Sequence, residues 1–386
     1  MAAEKGVKAD PEVWLPLLED FRMLSLPQDT VLVGRLKPEF GPDSTEVAQV
    51  LRQWPARAYV SKTAGGTEVV LVYQLKNEPW QFPWIQALLL FLTLITTLGS
   101  GAMMTDSDPF RTRLFELGSL QLPYPTGLDL SRLWRGVTFA IPFLAVLLAH
   151  EMGHWCAARY HGVRASLPYF IPCPPYLSVI GSLGAFIRLR GPSVRRSILF
   201  DIGASGPFAS FIVSVPLFIA GLGLSRTVPV PTSIASPFVV RFAGQPIWLG
   251  NGGLTHVLTT WFGPGPVGEA AILLHPFALA GWLGLFVTAL NLLPLGQLDG
   301  GHVLYALTPA KHGRLARLFL GILVVLGMGW WGWWAWAVLV FLLHRGKVLH
   351  PAVLQPEPGL GRVRSELAWV LILIFLACFV LIPIDL

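Results

Sequence analysis

The chain has 386 residues, of which 53% are hydrophobic and 13% charged, with a formal net charge of +6. A soluble domain carries about a quarter charged residues, so this composition excludes an ordinary soluble enzyme and points to a membrane protein. The three cysteines, Cys156, Cys173 and Cys378, lie far apart with no CxxC spacing, which excludes a disulfide framework.

Residues 1–82 hold nine basic and eleven acidic residues, and the basic excess falls on the remainder. On a membrane domain such an excess sets orientation; nucleic-acid binding is not expected. Residues 1–82 read as a small soluble α+β domain. Trp14, Leu15, Leu18, Phe21 and Leu24 recur at helical spacing and predict a helix over Pro11–Leu24. A strand is expected at Thr30–Leu36. Asp43 with Glu46 resembles a capping box opening a short helix to Trp54. Ala58–Ser61 and Glu68–Leu75 alternate as strands about a Gly65-Gly66 turn. No catalytic constellation occurs here, and the expected role is regulatory or docking.

Residues 83–344 form the expected membrane core. Trp84–Met104 is a first span, followed by a loop over 105–133 with nearly balanced charge. The second span, Trp134 to Arg159, ends in the stretch around which the chain is organised, His150-Glu151-Met152-Gly153-His154. Four steps on a helix return to nearly the same face, so His150 and His154 can present two imidazole nitrogens to one metal, with Glu151 beside them to handle a proton. Thirteen uncharged residues, Val137–Ala149, precede this motif. Six arginines, Arg159, Arg164, Arg188, Arg190, Arg195 and Arg196, follow it before the next acid, Asp201. That asymmetry puts this end, and the N-terminal domain, in the cytoplasm. At roughly 1.5 Å of rise per residue, the motif then lies inside the hydrocarbon, about 10 Å from the cytoplasmic surface. Two histidines and a carboxylate are costly at that depth without an ion or a wet cavity.

Residues 166–190 are apolar but too rich in Pro and Gly for a spanning helix, and read as a re-entrant segment with an edge strand at Gly184–Leu189. Ser197–Leu224 is a third span, in which Gly203, Ser205, Gly206, Ala209 and Ser210 allow close helix packing. Residues 225–270 are an external loop with a short helix at Gly253–Phe262. A fourth span starts near Pro276 and is broken by Pro294, Gly296, Gly300 and Gly301. Asp299 lies in the broken stretch as the only acid between Glu269 and Glu357. An isolated carboxylate at membrane depth needs a partner, and a metal supplies one. Leu318–Leu343, with basic residues at both ends, reads as a helical hairpin turning near Gly329–Gly332. Residues 345–386 are read as a cytoplasmic loop and a final span at Leu367–Ile384, for about seven spans in all.

The second motif, Asn291-Leu292-Leu293-Pro294-Leu295-Gly296-Gln297-Leu298-Asp299-Gly300-Gly301, joined to the first, resembles the site-2 protease family of intramembrane zinc metalloproteases. The stretches FDIGASGP and GWLGLFVTALNLLPLGQLDGGHVLYAL are most similar to its bacterial and plastid branch without a PDZ domain, the ethylene-dependent gravitropism-deficient and yellow-green type. The short stretch 161–196 leaves no room for an inserted PDZ domain. The resemblance implies one Zn2+ per chain on His150, His154 and Asp299, with a fourth position open. It implies Glu151 as general base and Asn291 as a substrate-binding or oxyanion-stabilising group. It also implies substrate addition as a strand near Gly184, Ala185 and Phe186.

The reading is therefore a polytopic α-helical membrane protein with a re-entrant β segment and a small α+β N-terminal domain. It is expected to cut a peptide bond in or near a transmembrane segment of another membrane protein. The lipid bilayer is its other partner, and the expected location is a bacterial inner membrane with a cytoplasmic N-terminus. Two rivals stand beside it. A membrane zincin of prenyl-protein protease type would need a glutamate as third ligand, for which Glu269 is badly placed. A non-catalytic scaffold on the same fold would be expected to carry degenerate motifs, and every motif position here is intact.

Overall fold

The computed structural model describes residues 11–25, 29–54, 57–63, 65–74, 83–117, 120–190, 195–229, 236–265, 270–343, 350, 353 and 359–385. At the N-terminal end, a 3-10 helix over Pro11–Leu17 leads into β1 (Leu18–Ser25) and β2 (Asp29–Leu36), then α1 (Thr45–Gln53), β3 (Arg57–Thr63) and β4 (Gly66–Gln74). The four strands form an antiparallel sheet in the order β1-β2-β4-β3. Its covered face buries Trp14, Leu17, Leu32, Val47, Trp54 and Leu71, with Trp14 and Trp54 edge to face at 6.5 Å between ring centroids.

The helix expected over Pro11–Leu24 is not formed. Pro16 has no amide hydrogen to donate, and from Leu18 onward the backbone pairs with β2 instead. Phe21, one of the residues that made up the helical spacing, is 51% exposed. The N-cap of α1 is Ser44 rather than Asp43, and the Ser44 hydroxyl donates back to the Gly41 carbonyl.

Among the described residues, three helical stretches are long and apolar enough to cross a bilayer: Pro83–Met103, Leu130–Tyr160 and Arg196–Leu224. The first is α2 (Pro83–Met103), after which β5 (Phe110–Leu117) and β6 (Leu120–Leu128) form a hairpin within the expected loop. The second stretch opens with the short α3 (Leu130–Leu133). Its N-cap, Asp129, accepts from the Ser131 hydroxyl at 2.6 Å and from the Ser131 N–H at 3.0 Å; these bonds hold its carboxyl below the ordinary range. The stretch continues as α4 (Val137–Tyr160).

From α4 the chain runs through β7 (Arg164–Ala165), β8 (Tyr169–Pro172), β9 (Ser182–Phe186) and β10 (Leu189–Arg190) into α5 (Arg196–Leu224). The edge strand expected at Gly184–Leu189 is thus two pieces. β9 pairs antiparallel with β8, and β10 pairs with β7. The β8–β9 hairpin lies along α2, where the Thr96 hydroxyl donates to the Gly181 carbonyl at 2.6 Å.

Four short strands, β11 (Arg226–Val228), β12 (Phe238–Phe242), β13 (Gln245–Leu249) and β14 (Ala271–Leu273), follow α5, with α6 (Gly253–Phe262) among them. Then come α7 (Pro276–Asn291), α8 (Asp299–Leu307), α9 (Pro309–Leu326), α10 (Gly332–Leu343), α11 (Arg362–Cys378) and β15 (Ile384–Asp385). The five strands make a sheet in the order β11-β14-β12-β13-β15, capping the end where α5 finishes and α7 begins. The span expected over Leu367–Ile384 is displaced toward the N-terminus: α11 runs from Arg362 to Cys378, and Ile384 and Asp385 leave the helical path to pair with Leu249 and Trp248. The break after α7 and the turn between α9 and α10 stand where the Pro and Gly residues predict them.

The centre of the molecule is the packing of α4, α5 and α7. Phe139, Phe143 and Leu147 of α4 meet Phe218 and Leu222 of α5 and Trp282 of α7 in one buried cluster. Every one of these helices is apolar nearly all round, the pattern of a buried or lipid-facing helix. At the other end of the bundle the N-terminal sheet is attached through its edge strand. Arg195 donates to the Val60 carbonyl at 2.9 Å and lies 5.3 Å from the Tyr59 ring centroid, and Tyr59 packs on Ala158, Val163, Ile198 and Ile202.

Candidate active site

His150, Glu151 and His154 sit on the last turns of α4 and are buried. The break after α7 turns the chain so that α8 begins at Asp299, pointing this carboxylate at the two histidines. His150 Nε2 and His154 Nε2 lie 3.2 and 3.4 Å from Asp299 Oδ2 and 3.1 Å from each other. A tetrahedral ion bound at about 2.0–2.1 Å separates its ligand atoms by about 3.3 Å, so this triangle has the dimensions of a metal site. Three residues from two distant motifs are positioned to bind one metal ion.

The orientation of each imidazole is fixed from behind. His154 Nδ1 donates to the Ile202 carbonyl at 2.7 Å. His150 Nδ1 lies 3.1 Å from Ser210 Oγ, which lies 2.8 Å from Thr288 Oγ1, which donates to the Gly284 carbonyl at 2.7 Å. The carbonyl at the end of that chain can only accept. Ser210 Oγ also has the Gly206 and Pro207 carbonyls in reach at 3.1 and 3.2 Å, so its own proton has acceptors besides His150 and its oxygen is open to accept from His150 Nδ1. Both histidines then carry their proton on Nδ1 and leave the Nε2 lone pair for an ion. Two glycines make the crossing of α4 and α5 close enough. A Cβ at Gly206 would overlap the His154 ring, and one at Gly153 would meet the Ser205 carbonyl.

These groups line a cavity of about 220 Å³ together with Ile187, Gln297 and His302. Glu151 is buried in its wall. Asn291 closes another side, its Nδ2 3.2 Å from His150 Nε2. Of the three strand residues expected here, Ala185 and Phe186 line the cavity. Gly184 does not: it sits at φ 102° in open surroundings one residue earlier on β9. β9 has one strand neighbour, β8, among the described residues.

Sequence reasoning missed the roles of Ser210, Thr288 and Gly206. Ser210 and Gly206 were read as small packing residues; the signal available was a hydroxyl in an otherwise apolar stretch. Asp201, which the sequence shows only as the first acid after the arginines, is a hub. It accepts from Arg364 through two bonds of 2.8 Å and lies 2.7 Å from His161 Nε2, joining α11 to the ends of α4 and α5. His302 lies in the cavity wall, with Nδ1 2.7 Å from His350 Nε2. Glu269, weighed as a third ligand of another kind, lies outside the described residues.

A bundle of apolar helices that closes two histidines of one helix and an aspartate of another around a single point defines a class: a helical membrane protein with a three-ligand metal site. Residues 138–328 match the model described as Peptidase family M50, the site-2 protease family. The chain is 33% identical over 230 residues to the probable zinc metalloprotease EGY1, chloroplastic, of Arabidopsis thaliana, covering 58% of this chain and 39% of that protein. It is 31% identical to the Oryza sativa subsp. japonica protein of the same name, over 58% of this chain and 38% of that one. To the probable zinc metalloprotease EGY2, chloroplastic, of Oryza sativa subsp. indica it is 29% identical, over 59% and 40%. The chain thus spans well under half the length of these relatives. No solved structure gives a significant match.

Proposed function

We propose that the chain is a zinc metalloprotease of the membrane that hydrolyses a peptide bond in or near a transmembrane segment of another membrane protein. The observation that carries this reading is the convergence of His150, His154 and Asp299 in one cavity with Glu151, Asn291 and the outer side of β9. His150, His154 and Asp299 would hold the zinc, which when bound would supply Lewis-acid chemistry to a peptide carbonyl and to water.

The chain's own groups do the rest. A Glu151 carboxylate oxygen takes a proton from the attacking water and returns it to the leaving amide nitrogen. Asn291 Nδ2 donates to the peptide oxygen as negative charge gathers there. A helix cannot be cut while its backbone is closed, and an unwound segment in hydrocarbon needs partners for its amides. The side of β9 away from β8 offers them, with Ala185 and Phe186 on the cavity wall. The β8–β9 hairpin fits the re-entrant segment this requires.

In this reading residues 1–82 form a docking or regulatory domain on the cytoplasmic or stromal side. Residues 83–344 form the protease core, and 345–386 a loop and a C-terminal membrane helix. The relatives named chloroplastic favour a plastid membrane over the bacterial inner membrane expected from the sequence. The experiment is cleavage of a single-span membrane protein by the full chain in detergent with zinc. Product is expected from the wild type and not from Glu151→Gln, which keeps the shape of the side chain and its metal. Equal product from both would overturn the assignment of Glu151 and, with it, the enzymatic reading.

A further inference from the structure

A second cavity, of about 360 Å³, lies at the opposite end of the bundle from His150, where α2 and α5 finish and α7 begins. Its walls divide by chemistry. Met104, Leu224 and Leu279 supply an apolar side, with Leu224 60% exposed at the end of an apolar helix. Arg226 and Arg241 supply a cationic side from the capping sheet. Arg241 keeps one ion pair, from Nη1 to Asp106 at 3.0 Å, with both side chains about half exposed. The Arg226 side chain has no ion-pair or hydrogen-bond partner among the described residues.

Two arginines over one acid leave a net positive cavity at the boundary between apolar helices and a polar cap. We propose that this cavity binds the phosphate headgroup of an anionic membrane lipid, with Arg226 and Arg241 on the phosphate and an acyl chain descending along Leu224. The planar guanidinium fork matches phosphate oxygens in pairs. The volume is that of a small-ligand site. A free phosphate would use the same arginines but would leave the apolar wall without an occupant. The proposal rests on the chain being a membrane protein and not on its being a protease.

The test uses the full chain in a neutral detergent, with binding followed by native mass spectrometry and by thermal stability. The probes are phosphatidylglycerol, phosphatidylcholine and inorganic phosphate. Phosphatidylglycerol is expected to bind about tenfold tighter than phosphatidylcholine and to raise the melting temperature. That preference should vanish in Arg226→Gln/Arg241→Gln, be largely kept in Arg226→Lys, and be untouched by Arg159→Gln at the other end of the bundle. Metal content at the distant histidine site reports whether each variant is folded. An unchanged preference in the folded double variant, or no preference in the wild type, overturns the proposal. So does displacement of phosphatidylglycerol by an equal concentration of inorganic phosphate, which would make the cavity a simple anion site.

Discussion

His154 is held by Ile202 through the backbone, its Nδ1 donating to a carbonyl oxygen 2.7 Å away on the next helix. No substitution of the Ile202 side chain can remove that acceptor. The position of one metal-facing imidazole is thus set by how closely α4 and α5 cross. His150 is held differently, by the hydroxyls of Ser210 and Thr288, which substitutions can remove.

The third ligand is the first thing to measure. Purified wild type should carry about one zinc per chain, and Asp299→Ala should lose most of it at equal folding, because two imidazoles alone are a weak site. Zinc retained in full by the variant would break the link between the two motifs and reopen a glutamate ligand elsewhere.

Removing the hydroxyl behind His150 should weaken the metal without disturbing the fold. Ser210→Ala is expected to lower zinc affinity by about tenfold, within the usual range for a group that orients a ligand. Competition with a chelator of known affinity would measure this. An unchanged affinity would mean that helix packing alone holds the ring.

Gly206→Ala adds one methyl group where the His154 ring lies. The ring must move or the helices must part, at a cost of about 1–3 kcal/mol for overpacking. A lower melting temperature together with reduced zinc is expected. Normal values of both would show that α5 has slack at its crossing with α4.

Arg364→Ala removes both bonds from α11 to Asp201. The pair is partly exposed but bidentate, so a loss of about 1 kcal/mol is expected. Amide exchange should rise in the first turns of α11 and not in α4. Exchange that rises equally in both helices would show that His161 and Arg364 act through one shared unit.

The two motifs were legible because each is short, local and chemically unlike its surroundings: a carboxylate such as Asp299 stands out in an apolar sequence. The long apolar helices were legible for the same reason. The capping sheet was not. Its strands are two to five residues long, and β15 joins from the far end of the sequence, so no local alternation announces them. The helix read over Pro11–Leu24 failed because Phe21 supplied apolar spacing without being buried, and tertiary pairing decided between helix and strand. Ser210 was visible as a residue but not as a role, since its meaning comes from His150 and Thr288 on other helices.

Helix α11 is tied down at both ends, by Arg364 to Asp201 before its second turn and by Ile384 and Asp385 to β13 beyond its last. A beam clamped at both supports can bow at midspan but cannot swing from either. Any lateral parting of the bundle that leaves these two anchors intact has to use a neighbour of α11. The hairpin of α9 and α10 is joined to the same frame at its turn, where the buried Trp333 donates to the Leu381 carbonyl at 2.8 Å and stacks on Phe379 with 5.0 Å between ring centroids.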